Sequence, residues 1–185
     1  MSLSLLQVER YLIMAVSPNS VFSNVFKAFY DVLNSKIADP VPNTRQADQS
    51  AQWIYSSYPE ADLDENRIHL PLMIIEPADI STLPFTQIKK RGTVDVAIKC
   101  YDTRLERADS ILNKVFAVLD DNIWYFKNQQ GLHFMQLTGT ATDWYYQGGT
   151  RVHVRSANYS MQYFYNSGLG KLQSMKLIRS NARIA

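Results

Sequence analysis

The chain has 185 residues, 46% of them hydrophobic and 19% charged, which supplies one substantial core and too little apolar surface for two. A formal charge of +2 is too small to drive nucleic-acid binding by the whole molecule. Cys100 is the only cysteine, which excludes an intrachain disulfide framework and a structural zinc site built from several thiolates.

The amino-terminal segment carries Leu3, Leu5, Leu6, Tyr11, Leu12, Ile13 and Met14, but Glu9 and Arg10 interrupt the apolar run far short of a membrane span. Those charges are also misplaced for a secretion signal. A cytoplasmic product is expected, so the Asn158-Tyr159-Ser160 sequon carries no glycosylation meaning.

A first helix is predicted from Val21, Phe22, Val25, Phe26, Phe29, Val32, Leu33 and Ile37, which recur at three- and four-residue spacing, with Ser17 as cap and Pro18 at the first helical position. The loop from Ala38 to Arg67 is polar, holds Pro40, Pro42 and Pro59, and offers a short strand around Trp53, Tyr55 and Tyr58 before the acidic cluster Glu60, Asp62, Asp64 and Glu65. The continuous apolar run from His69 to Glu76 reads as a central strand, and the alternation of Val94, Val96, Ile98 and Cys100 with Asp95, Ala97, Lys99 and Tyr101 as a half-covered one.

A second helix, started by Asp102 or Thr103, places Leu105, Ala108, Ile111, Leu112, Val115, Phe116 and Leu119 on one face. Arg104, Glu106, Arg107, Asp109 and Lys114 fall on the other. Two long segments rich in Thr, Tyr, Val and Phe follow, His133 to Tyr146 and Arg151 to Tyr165, and Gln147-Gly148-Gly149-Thr150 joins them as a hairpin turn whose glycines accept positive φ. The order helix, strand, strand, helix, strand, strand predicts an α+β fold: a mostly antiparallel sheet of four to five strands with two helices on one face.

Residues 1–16 and 166–185 then form an amino-terminal arm and a basic carboxyl-terminal tail around one domain, 17–165, into which the loop 38–67 is inserted. The tail carries Lys171, Lys176, Arg179 and Arg183 without one acid, interleaved with Leu169, Leu172, Met175, Leu177 and Ile178. Apolar residues with no face of their own suit contact with other subunits. Leu5, Leu6, Tyr11, Phe85, Leu172, Met175, Leu177 and Ile178 are therefore the candidate interface residues.

His69, His133 and His153 lie far apart with no HExxH pair, and the acidic loop lacks the glycine and carboxylate spacing of an EF-hand. Gly168-Leu169-Gly170-Lys171 lacks the first glycine of a phosphate loop, and Leu172 stands where Ser or Thr would bind magnesium. Cys100 alternates with core residues and reads as a small hydrophobe. No catalytic residue, cofactor or metal site is expected. Lys89, Lys90 and Arg91, with Arg151 and Arg155, would meet a polyanion if their strands adjoin, although such charges are more often a solvated rim.

From Leu70 to Tyr165 the layout resembles the tail-terminator or tail-completion proteins of long-tailed phages and related viruses. The features that carry the resemblance are Pro71-Leu72-Met73-Ile74-Ile75-Glu76, then Pro84-Phe85-Thr86 and Lys89-Lys90-Arg91-Gly92-Thr93 leading into the Val94 strand. After them come the Arg107-Ala108-Asp109 helix and the closing strand Gly149-Thr150-Arg151-Val152-His153-Val154-Arg155. About half of the chain is covered, and the loop 38–67 and the basic tail depart from the pattern.

The resemblance implies a structural virion protein in the tail or neck, assembled in the host cytoplasm. It would form a hexameric ring that caps the tail tube, contact tail-tube and head-completion or neck proteins, and pass DNA non-specifically through a lumen faced by Lys89, Lys90, Arg91, Arg151 and Arg155. Two other classes stand beside it: a different virion or contractile-injection adaptor, for head completion, tube or baseplate, and a small enzyme using scattered residues such as His133, Asp143 and His153.

Overall fold

A computed structural model of the chain describes residues 21–42, 52–59, 70–84 and 89–166. The expected cap Ser17-Pro18, both arms, His69, the acidic cluster 60–65 and all eight expected interface residues lie outside the described residues.

Helix α1 (Val21–Lys36) precedes a short strand β1 (Ile54–Tyr55), then β2 (Leu72–Pro84) and β3 (Lys89–Asp102). Helices α2 (Leu105–Asp121) and α3 (Ile123–Gln129) lead to a long hairpin, β4 (Leu132–Gln147) and β5 (Thr150–Asn166). The five strands form one sheet in the order β1-β2-β3-β5-β4. Every neighbouring pair is antiparallel except β1 with β2. The α+β class, the mainly antiparallel sheet and the one-sided helices agree with the sequence pattern. The short helix α3 is additional to the two expected.

The alternation in β3 sorts its residues between two faces. Val94, Val96, Ile98 and Cys100 are fully buried on the helix side, joined by Met73 and Ile75 of β2 and by Ala157, Tyr159, Met161 and Tyr163 of β5. Helix α1 adds Val25, Ala28, Phe29, Val32 and Leu33, and α2 adds Ile111, Leu112, Val115 and Leu119. Phe29 is the aromatic hinge of this core, its ring 4.9 Å from Phe126 of α3 and 6.5 Å from Tyr159. Phe22, expected on the buried stripe of α1, is instead 45% exposed.

The run Leu72–Ile75 is buried on both faces, as expected of a central strand, and β2 lies between β1 and β3. One further expectation is corrected by the packing. Helix α2 takes Arg104 as its N-cap residue, not Asp102 or Thr103. Asp102 acts from two positions earlier: its carboxylate accepts the Arg104 backbone N–H at 2.9 Å and is gripped by the Arg107 guanidinium, with Nη2 at 2.8 Å. It is the one charged side chain among the described residues to be buried, and this pairing is what makes its burial tolerable.

Gly148 and Gly149 both take positive φ, 53° and 77°, so the β4–β5 connection is the two-residue turn that the sequence specifies. A different glycine permits a close approach. Gly92 pairs with Tyr163 across β3 and β5, and the tyrosine ring lies in the space a Cβ would fill.

Candidate assembly surface

Strands β3 and β5 do adjoin, as the basic-patch expectation required, but their antiparallel register separates the charges. Arg91 pairs with Phe164 at one end of the sheet, whereas Arg155 pairs with Cys100, nine positions along β3 and about 30 Å away. Arg151 lies beyond the end of β3 altogether, its guanidinium 4.5 Å over the Trp144 ring. Arg155 is held by Asp109 of α2 and donates to the Thr142 hydroxyl. The five basic residues therefore form no single patch within one chain. Lys89, Lys90 and Arg91 stand together at the Asn166 end of β3, while Arg151 and Arg155 serve the opposite end.

The residues considered for chemistry are similarly dispersed. His133 pairs with Gln162 near the start of β4, and desolvation, followed by the charge of Lys127, holds its imidazole below the ordinary range. His153 lies at the other end of the sheet opposite Trp144, and Asp143 points to the opposite face, paired with Val154. Cys100 is fully buried, and desolvation pushes its thiol up to about 12, which leaves it protonated and inert. No cluster of three or more His, Cys, Asp or Glu suited to a metal occurs among the described residues. No described helix is long and apolar enough to cross a membrane.

What the structure does assemble is a bare face. The helix-side residues of β4 follow from its pairing: Leu137 opposite Tyr159, Thr140 opposite Ala157, Thr142 opposite Arg155, Trp144 opposite His153 and Tyr146 opposite Arg151. Their β5 partners Ala157 and Tyr159 are buried under the helices, but Leu137 is 44%, Trp144 50% and Tyr146 67% exposed. Helix α2 packs on β3 and β5, α1 on β2, and α3 on β4. Among the described helices the seven-residue α3 is the one set against the sixteen-residue β4, and the described residues leave most of its helix-side face uncovered.

The flank of α2 beside this face carries Asp109, tied to Arg155, and Asp120, whose charge helps raise the Tyr159 hydroxyl pKa behind the larger effect of burial. Helix α3 adds Ile123 and Trp124, 46% and 66% exposed. The result is an exposed strip in which Leu137, Trp144 and Tyr146 share the face with Thr140 and Thr142, beside the α2 flank that carries Asp109 and Asp120.

The outer edge of the same strand is equally unguarded. Two irregularities, His133 to Gln136 and Leu137 to Gly139, bend its first half and turn Phe134 outward at φ 54°. From Gly139 to Gln147 the ladder is regular, and that stretch contains no Lys, no Pro and one charge, Asp143. Natural edge strands normally carry such guards. The far side of the sheet, by contrast, is closed at this end: the Tyr58 and Tyr145 hydroxyls are 2.9 Å apart, Tyr58 donates to Gln147 Oε1 at 3.1 Å, and the Tyr58 and Tyr101 rings lie 5.3 Å apart. This places the segment after β1 across the second face.

Sequence reading missed Leu137, Trp144, Tyr146, Ile123 and Trp124 as surface residues. The aromatic density of β4 is visible in the sequence, but the seven-residue length of α3, which among the described residues leaves that strip uncovered, is not.

No protein-family model matches the chain, and no curated protein matches it. Among solved structures it is similar to a chain of the virion of a native gene transfer agent particle, at 11% identity and a TM-score of 0.43, over 74% of this chain and 93% of that one. At that score and identity the likeness carries no functional conclusion.

Proposed function

We propose that the chain is a non-enzymatic structural protein of a virion. In this reading it closes into a ring, caps the tail tube, and joins it to head-completion or neck proteins while DNA passes through the lumen. The observation that carries the reading is the bare helix-side face of β4. Exposed Leu137, Trp144 and Tyr146 on one face, flanked by a strand edge with a single charge, support reading it as an interaction surface. Covering it removes apolar area from water at about 25 cal/mol per Å². A contact between two different patches of identical chains is heterologous, and such contacts close into rings when the rotation permits.

The strand, turn and helix order of residues 70–165, which resembles the tail-terminator proteins, supports a place at the end of a tail. The dispersal of His133, Asp143 and His153 supports a role without catalysis. In the ring, Lys89, Lys90 and Arg91 supply a girdle that holds DNA through phosphates without reading bases. Arg155, neutralised by Asp109, contributes little to it.

Light scattering of the purified chain over a range of concentrations tests the proposal. A ring reads as a discrete mass near six times the 21.2 kDa chain. A strict monomer at every concentration, unchanged by added tail-tube protein, would sink it.

A further inference from the structure

We infer that residues 52–59 form a strap whose Tyr58 hydroxyl latches the turn end of the β4–β5 hairpin, so that strap and hairpin end loosen together while the core stays closed. The coupling does not depend on a ring. It starts from a gap in the ladder. The last β3 residue to pair with β5 is Asp102, opposite His153. Beyond it the rungs Tyr145–Val152, Tyr146–Arg151 and Gln147–Thr150 join β4 to β5 alone. A two-stranded ribbon is marginally stable in water, so this end gains from a hold outside the ladder.

The strap has a fixed root and a bonded tip. At the root, Trp53 and Ile54 are buried in the core, and the Trp53 carbonyl accepts the Met73 backbone N–H at 2.8 Å. Gln52 Nε2 donates to the Ile54 carbonyl at 2.6 Å, and the Tyr55 hydroxyl donates to the Gln52 carbonyl at 2.7 Å. At the tip, the Tyr58 ring lies 5.3 Å from Tyr101 of β3, whose own ring is 6.4 Å from Tyr145. Val152, directly opposite Tyr145 and past the end of β3, is buried.

Proton counting orders the latch. The Tyr58 hydroxyl donates to Gln147 Oε1 at 3.1 Å, and a phenol has one proton to give. The 2.9 Å contact between the Tyr58 and Tyr145 hydroxyls is therefore donated by Tyr145. Both bonds run through the Tyr58 oxygen, which joins the strap to two residues of β4 that lie 87 and 89 positions away in the chain. Burial, followed by the bond with Tyr58, holds the Tyr145 hydroxyl above the ordinary phenol range, so its proton is in place at neutral pH. By linkage, whatever lifts the strap frees the hairpin end, and whatever holds the hairpin end holds the strap.

Tyr58→Phe and Tyr145→Phe in the full chain test the coupling, since each keeps its ring and loses one hydroxyl. In Tyr58→Phe, hydrogen exchange of residues 145–152 should accelerate about threefold to tenfold, the range set by one or two ordinary hydrogen bonds, with the amides of Val94 to Cys100 unchanged. In Tyr145→Phe, native-state cleavage by chymotrypsin after Tyr55 should rise, about 90 positions from the substitution, by roughly threefold. The double variant should match Tyr58→Phe alone. Unchanged exchange at 145–152 in the first variant, or unchanged cleavage after Tyr55 in the second, overturns the inference. So does acceleration of the β3 amides in step with the hairpin, which would mean that the whole domain opens at once, and so does a double variant whose effect is the sum of the two.

Discussion

Gly92 is where a single atom matters most. Its partner Tyr163 is among the largest fully buried side chains, and the ring occupies the position of a Cβ on residue 92. Gly92→Ala forces the ring or the strand to shift, and we expect a loss of about 1–3 kcal/mol in urea unfolding. Asp102 is the second such residue. Asp102→Ala removes both the acceptor at the start of α2 and the partner of Arg107, with an expected loss of about 3 kcal/mol by the same measurement.

Cys100 and Tyr101 define an alkaline limit. Burial raises the thiol from 9.0 to about 12 and the Tyr101 hydroxyl from 10.0 to about 12, and it also pushes up Tyr145 and Tyr159. The unfolded chain gives up these protons first, so their contribution is complete below pH 9 and is lost as pH rises from 9 toward 12. Denaturation midpoints measured across that window should fall, and less steeply in Cys100→Ala than in the native chain.

At the scale of elements, the β4–β5 hairpin depends on its turn. Gly149 sits at φ 77°, where a β-branched side chain is strained, so Gly149→Val should cost about 1–2 kcal/mol. The same variant should lose slowly exchanging amides first at the turn end of β4, which hydrogen-exchange mass spectrometry would resolve. Helix α2 holds its place by five buried residues, Ala108, Ile111, Leu112, Val115 and Leu119. Helix α3 matters for its brevity. It covers the start of β4 and ends, with Gly131 at φ 67° beginning the descent into the strand.

At the scale of the whole molecule, exposed residues should matter to assembly and little to folding. Trp144→Ser removes the contacts of the ring with Arg151 and Tyr146 and is expected to cost about 1 kcal/mol, which leaves the chain folded. The same substitution should reduce the mass seen by light scattering at micromolar concentration. An unchanged ring mass would argue against the β4 face as the interface. Replacing Lys89, Lys90 and Arg91 by Ala should weaken retention of DNA of any sequence at low salt and flatten its salt dependence. The interface and the DNA girdle lie at different places on the sheet, so neither change should reproduce the other.

The sequence by itself determined the layering. Period-two alternation in β3 and helical spacing in α1 and α2 follow from which side chains must leave water, so these elements and the single-sided packing were legible. The Gly-Gly turn was legible because only glycine accepts that backbone cheaply. The tertiary structure alone decided the surface. Whether Trp144 and Tyr146 are core or interface depends on whether a helix passes over them, a contact between segments distant in sequence. The register that sends Arg91 and Arg155 to opposite ends of the sheet is likewise fixed by strand direction and not by composition.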